Sequence, residues 1–514
     1  MNLFSIGLDV GTSSLKGLLV DERGTVSATA EQTYPLHIPR PGWSEQDPQD
    51  WWTAAQIVSR RLVAALPPGG RIAGVGLSGQ MHGSVFMDAA EQVLYPAILW
   101  NDQRTDTECS LIEELTGGQV TEWTLNPPRT AFTATKILWF RRHHAALYDR
   151  VAHILLPKDY IRHQLTGEFA TEVTDASGTN LLDVRRRRWS TPMLAALDVP
   201  VAWLGDVVES QSMTGSVTAQ AAYLTGIPAG TPVIGGSADQ AAAAIGSGVS
   251  RQGITSLTIG TSGVVYAQLG DDVIVDPTGA FHTFCHSVPN TWMMMAGVLS
   301  AGGSLRWYRD VVGEPKWLTI TQQSQDAYDR ISAGAAEVPP GAEGLIFLPY
   351  LTGERAPHTD PKARGAWVGL TARHDRRHLA RAVMEGVAFA LRDLVEQLRH
   401  LNVPIHELRV AGGGAKGKLW MSILASILNR PLQICTTPDS SAYGASMLGM
   451  AHALGENVAV LSAEWVRTSG EVLPDPIAAA QYDQYYPIFR MLYPATKPAV
   501  HRLADLADKY QSSS

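Results

Sequence analysis

Leu8-Asp9-Val10-Gly11-Thr12-Ser13-Ser14 and Leu257-Thr258-Ile259-Gly260-Thr261-Ser262-Gly263 are the two stretches that decide the fold. Each ends an apolar run in a Gly-Thr-Ser turn, and a second apolar run follows; around the first turn these runs are 4–8 and 15–20. Apolar segments bounded by Gly and Ser read as the paired strands of a hairpin. Gly11 and Gly260 stand 249 positions apart in a chain of 514 residues. A repeat at close to half the length predicts two related α/β domains, each opening with a hairpin, and a cleft between them. The boundary is expected within 246–252, where small and polar residues follow an Ala-rich helix, which gives domains of 1–250 and 251–514.

The rest of the chain supports an alternation of strands and helices. Asp47 suits an N-cap and Pro48 the first helical position, so a helix is expected to run to about residue 66, where Pro67-Pro68-Gly69-Gly70 stops it. Residues 72–77 then read as a buried strand leading into Ser78-Gly79-Gln80-Met81-His82-Gly83. Near the C-terminus, Tyr482, Tyr485, Tyr486, Phe489 and Leu492 recur at helical spacing, so 481–514 reads as a helix packed on a domain. The one basic run, 185–188, reads as a solvated turn.

Composition narrows the function classes. The hydrophobic fraction of 45% is enough for substantial cores, which excludes wholesale disorder. A formal charge of −8 argues against a dedicated nucleic-acid binder, although backbone amides and a divalent cation hold phosphates without net basicity. Cys109, Cys285 and Cys435 are too few and too scattered for a disulfide framework or a zinc site, which suits a reduced, cytoplasmic setting. No apolar stretch is long enough to span a membrane.

Several small constellations carry candidate chemistry. The turns Gly11-Thr12-Ser13 and Gly260-Thr261-Ser262 offer amides and hydroxyls to phosphate oxygens, or are simply turns; neither belongs to a GxxxxGK[ST] string. Gly412, Gly413 and Gly414 follow a strand and precede a helix expected from about Lys418 to Leu428, where bare backbone admits a flat ligand face or answers a need for positive φ. Asp239 follows Gly235-Gly236-Ser237-Ala238 at the start of an Ala-rich helix; its carboxylate either caps the helix or accepts a proton from a substrate hydroxyl. Asp9, at a strand end beside the first turn, either bonds its own turn or serves a Mg2+ ion. Gln80-Met81-His82-Gly83 and Trp100-Asn101-Asp102-Gln103-Arg104 have the make-up of polyol contacts, though the histidine also suits a structural role and the second string a helix start.

Longer spaced strings make the whole chain resemble the FGGY carbohydrate kinase family, most closely its D-xylulose-kinase branch. The family's first signature is similar to Thr133-Ala134-Thr135-Lys136-Ile137-Leu138-Trp139-Phe140-Arg141-Arg142-His143, with a departure at Ala131. The second is matched by Gly365-Ala366-Trp367-Val368-Gly369-Leu370, His378-Leu379 and Ala382-Val383-Met384-Glu385. Trp43-Ser44-Glu45-Gln46-Asp47-Pro48, Leu155-Leu156-Pro157-Lys158-Asp159-Tyr160 and Phe347-Leu348-Pro349-Tyr350-Leu351-Thr352-Gly353-Glu354-Arg355 resemble the branch, as does the Met81-His82 pair. Asp239-Gln240 departs from the Asp-Asn common in that branch and loosens the choice of acceptor.

The resemblance implies two actin-like ATPase domains and ATP-dependent, Mg2+-assisted phosphorylation of a sugar's terminal hydroxyl. It maps Asp239 to the proton acceptor and Asp9 to the acid that supports metal and phosphate geometry, so both are the expected metal carboxylates. Met81, His82, Trp100, Asn101, Asp102, Asp239 and Gln240 are the expected sugar contacts. Gly11, Thr12, Ser13, Thr261, Ser262, Gly412, Gly413 and Gly414 are the expected ATP contacts. The resemblance further favours a homodimer acting on a small sugar, with neither nucleic acid nor membrane as partner. Ribulose, gluconate, a pentitol or glycerol are the other acceptors it allows. Retention of both Asp9 and Asp239 stands against a relative that only binds sugar or nucleotide.

Overall fold

The computed structural model describes residues 2–313, 327–437 and 439–511. Its first hairpin is β1 (Asn2–Val10) and β2 (Ser14–Asp21), antiparallel, with Val10 opposite Leu15 across the Gly-Thr-Ser turn. With β3 (Val26–Thr33), β4 (Gly70–Gly79), β5 (Met213–Ser216), β6 (Pro232–Ile234) and β7 (Ser237–Ala238), this hairpin builds a seven-stranded sheet. The strand order is β5-β6-β4-β1-β2-β3, and β7 lies alongside β4. β1 runs parallel to β4, and β4 parallel to β7.

The second hairpin repeats the arrangement. β8 (Gly253–Ile259) and β9 (Gly263–Gly270) are antiparallel across Gly260-Thr261-Ser262. β10 (His282–Cys285), β11 (Trp292–Val298), β12 (Ile405–Ala411), β13 (Leu432–Cys435) and β14 (Thr468–Val472) complete a sheet of order β10-β11-β9-β8-β12-β13-β14. β8 is parallel to β12, as β1 is to β4. The duplicated hairpin and its parallel neighbour therefore occur twice, which is the two-domain α/β architecture expected.

The chain does not divide at a single point near residue 250. One compact unit takes 1–251, 268–294 and 437–467, and the other takes 252–267, 295–436 and 468–514. The physical reason for the last return lies on one face of the first sheet. Helix α9 (Ser440–Leu454; α1 to α8 are placed below) packs there against bare backbone. A Cβ on Gly76 would stand 1.8 Å from the Ala445 carbonyl oxygen, and one on Gly7 would stand 2.1 Å from that of Ala442. Small residues on both sides allow this approach, and Leu18, Val20, Met447 and Leu448 close a core at the margin.

Other helices follow from local sequence. α1 (Pro48–Ala64) begins with Asp47, whose side chain accepts from the Gln49 amide, and buries Trp51, Trp52, Val58 and Leu62 against the first sheet. α2 (Thr133–His143), α3 (Pro157–Thr166), α4 (Val173–Ser177) and α5 (Asp239–Gly246) belong to the first unit. α6 (Gly302–Val311), α7 (Arg376–His400) and α8 (Lys418–Leu428) belong to the second. The expected tail helix is α10 (Pro476–Gln511), while 512–514 lie outside the described residues. Its stripe of Tyr482, Tyr486, Phe489 and Tyr493 is buried, and the Tyr486 hydroxyl donates to Asp393 on α7 at 2.6 Å. The basic run 185–188 is not wholly a solvated turn. Arg187 folds inward at positive φ and grips Glu209 through two nitrogens, each at 2.7 Å.

Candidate active site

Register brings the two candidate carboxylates of the first unit together. Asp9 of β1 pairs with Ser78 of β4, which pairs with Ser237 of β7; one residue on, Val10, Gly79 and Ala238 form the next row. Asp239 follows as the first residue of α5, so both acids lie at the C-terminal edge of parallel strands. That edge is where open α/β sheets bind ligands.

The N-cap position falls to Ala238, so Asp239 is the first helical residue, and its carboxyl takes a hydrogen bond from the Gln240 amide. Oδ1 of Asp239 is buried and takes no hydrogen bond. Burial pushes its carboxyl up to about 6, against the pull of hydrogen bonds from Gln240. Asp9 is pushed up to about 7, by burial first and then by the charges of Asp439 and Asp239; Ser78 and Lys16 pull the other way. Ser78 Oγ donates to Asp9 at 2.7 Å, and Lys16 is paired with Asp439 at 3.0 Å. Two acids whose ionisation burial disfavours are suited to a hard cation and a hydroxyl proton. Among the described residues no group of three His, Cys, Asp or Glu side chains is arranged around one metal position. Mg2+ is commonly held by one or two carboxylates together with substrate phosphates and water, and Asp9 and Asp239 are the two that could serve it.

The first Gly-Thr-Ser turn is held from four directions. Tyr34 donates its hydroxyl to the Gly11 carbonyl. Gln46 Nε2 donates to the Thr12 carbonyl at 2.7 Å, and Trp100 Nε1 to the Thr12 hydroxyl at 2.9 Å. Thr12 Oγ1 in turn donates to Gln80 Oε1 at 3.2 Å. Its proton is thereby engaged within the protein, and the exposed Ser13 is the hydroxyl this turn presents outward. Trp100, expected at the sugar, uses its indole N–H on the turn.

Met81 and His82 follow directly from the edge of β4. His82 sits at φ 70°, and its Nδ1 lies 2.7 Å from the Gly178 carbonyl oxygen. Its ring meets Phe132 at a centroid distance of 5.0 Å. Gly178 is required there, since a Cβ would come within 2.6 Å of the His82 ring. The first signature, on α2, explains the rest. Lys136 Nζ donates to the carbonyls of His82 and Ala131, both at 2.7 Å, and Thr133 Oγ1 also reaches His82 O, at 3.2 Å. Burial pushes the Lys136 amine down to about 7, with Asp102 opposing. Position 131 contributes only its carbonyl to this clamp, which explains why alanine serves there.

Asp102 is a correction to the expected sugar contacts. It is wholly buried, and its oxygens accept from the Ser44 amide at 2.6 Å and from the Arg104 guanidinium at 2.7 and 2.9 Å. Arg104 also bonds Glu45 and lies over the Trp43 ring at 3.6 Å. Asp102 therefore positions the 100–104 loop from inside, while Asn101 keeps a buried Oδ1 without a partner. Gln240, the second residue of α5, lies next to Asp239 and is half-buried.

In the second unit, Gly412, Gly413 and Gly414 close over the end of β8. A Cβ on Gly412, at φ 90°, would stand 2.7 Å from the Ile259 carbonyl oxygen, and one on Gly414 would stand 2.4 Å from the Ile259 side chain. The run is therefore packed beside the second turn, with Gly412 and Gly413 exposed. The amides of Gly302 and Gly303, opening α6, donate to Gly260 and Thr261 at 2.9 Å each. Arg306 of α6 donates to the Thr261 hydroxyl at 2.5 Å. Ser262 follows, half-buried. Sequence reasoning missed Tyr34, Gln46, Gln80, Lys136, Asp439 and Arg306 as site supports. Only Gln46, Gln80 and Lys136 lay inside strings it had singled out.

Comparison with known proteins finds similarity along almost the whole chain. The N-terminal domain model of the FGGY family of carbohydrate kinases matches residues 4–246, and the C-terminal domain model matches 255–453. A xylulose kinase of Lactococcus lactis subsp. lactis is 36% identical, over 98% of this chain and 99% of its own length. The structure of xylulose kinase from Rhodospirillum rubrum superposes with a TM-score of 0.87 at 32% identity, covering 96% of this chain and 99% of that one. Gluconate kinase from Lactobacillus acidophilus superposes with a TM-score of 0.90 at 26% identity, covering 98% and 100%.

Proposed function

The chain belongs to the FGGY family of carbohydrate kinases, with its two actin-like ATPase domains, and from that premise we propose that it transfers the γ-phosphoryl group of ATP to the terminal 5-hydroxyl of D-xylulose. The observation that carries the chemistry is the buried, unbonded Oδ1 of Asp239 beside Asp9, next to the Met81-His82 corner. The full-length similarity to xylulose kinases supports the acceptor.

A free alcohol is far too weak an acid to be ionised by a carboxylate in the ground state. Asp239 therefore orients the hydroxyl and takes its proton as the bond to phosphorus forms. Met81, His82, Asn101 and Gln240 surround the sugar, and Trp100 and Asp102 hold the turn and loop that shape its pocket. Gly11, Thr12 and Ser13 line the phosphate side of the first unit; with the Gly11 amide donated to the Ser14 carbonyl, the Thr12 amide and the Ser13 hydroxyl are the donors toward phosphate. In the second unit Thr261, Ser262, Gly412, Gly413 and Gly414 hold the nucleotide. Asp9 and Asp239 are the residues that would hold Mg2+, which when bound neutralises charge on the phosphates.

The second reading is a gluconate acceptor. It is favoured by Gln240, whose amide reaches one methylene further than the asparagine of the xylulose-kinase pattern, and by the likeness to gluconate kinase. Sugar-dependent ADP release across a panel of acceptors tests the choice.

A further inference from the structure

Asp239 is useful only if its carboxyl is aimed, and the backbone before it has an unusual support. Ser237 and Ala238 pair with β4 for two residues only, and the chain then turns into α5. A buried amide at such a corner needs an acceptor outside the sheet ladder. The Ala238 amide finds it in Thr174 Oγ1 of α4, at 2.8 Å.

Thr174 is itself oriented by a charge. Its hydroxyl donates to Glu172 Oε1 at 2.8 Å, so the oxygen is left as an acceptor toward Ala238. Glu172 is fixed by the amides of Thr174 and Asp175, at 2.7 and 2.8 Å, and by Ser210 Oγ at 3.0 Å. Lys158 Nζ lies 3.3 Å from the same carboxylate. Beyond the corner, Ser441 Oγ donates to the Asp239 carbonyl at 3.1 Å. Thr174, Glu172, Asp175, Ser210, Lys158 and Ala238 are all buried. We propose that Thr174 is the positioning residue that sets Asp239 for proton transfer, through a fixed relay from Glu172 to the Ala238 amide. The inference rests on the kinase reading above.

The test compares Thr174→Val, which keeps the shape and removes the acceptor, with Thr174→Ser, which keeps the acceptor. Thr174→Val is expected to lower kcat by ~10²-fold, the scale of a misplaced catalytic group, while KM for the sugar stays within about twofold. Thr174→Ser is expected to restore kcat to near the wild-type value. Backbone amide exchange is expected to quicken at Ala238 and its neighbours in Thr174→Val alone. Should Thr174→Val not fold, Glu172→Gln serves instead and is expected to lower kcat less, again without a change in KM. Unchanged kcat in folded Thr174→Val or Glu172→Gln overturns the proposal, as does a fall in Thr174→Ser equal to that in Thr174→Val. Absence of sugar-dependent turnover in the unaltered chain would instead overturn the kinase reading and the positioning role with it.

Discussion

In the proposed reaction Asp239 carries the central chemistry, because its buried Oδ1 takes no hydrogen bond. With its pKa raised to about 6, the group is protonated below that pH and cannot accept a proton from the sugar. The rate is therefore expected to fall as pH drops through about 6, and Asp239→Asn is expected to remove ~10²–10⁴-fold of kcat while ADP still binds. A pH–rate profile and an ADP titration check both; near-normal turnover by folded Asp239→Asn contradicts the assignment. At this scale the places of Asp9 and Asp239 in the fold were legible, because the first lies at the end of a readable strand and the second opens a readable helix. Tyr34, Gln46 and Thr174 were not. Their partners lie 23, 34 and 64 positions away, and only tertiary folding sets such pairs.

Among the elements, the helix α9 shows most clearly how sequence sets geometry. Its Gly449, with Gly7, Gly74 and Gly76 on the sheet, makes backbone the packing surface, and its Gly444 meets Ala242 of α5 in the same way. A methyl group at Gly76 has no room beside the Ala445 carbonyl. Gly76→Ala is thus expected to cost about 3 kcal/mol or more in urea unfolding, the upper range for overpacking. The buried charges around α4 support a second test. Burial pushes Asp175 up to about 8, against the pull of Lys158. Because its folded pKa is raised, its contribution to stability is full below the unfolded value near 4 and is lost as pH rises through about 8. Asp175→Asn is expected to flatten this decline, so its urea midpoint relative to the wild type should rise between about pH 5 and about pH 9. The hairpins were legible at this scale, since Gly and Ser bound their apolar runs. The sheet that α9 covers was not, because small residues announce close packing without naming the partner.

For the whole molecule, the repeat of 249 positions identified two related sheets, each with the same hairpin and parallel neighbour. It did not show that segments 268–294 and 437–467 return to the first unit. Composition averages over such crossings, and the burial needs of a sheet face appear only once the sheet exists. The −8 charge is compatible with the proposed reaction, because hydroxyls, bare backbone and a cation held by acids can serve phosphates without a basic surface. Among the described residues, no helix is long and apolar enough to cross a membrane. The most direct measurement is the kcat/KM for ADP release with D-xylulose, D-ribulose, D-gluconate, a pentitol and glycerol under one set of conditions. D-xylulose is expected to exceed every other acceptor by about tenfold or more, as polar contacts to its hydroxyls require. An equal or higher value for D-gluconate or another acceptor would contradict it.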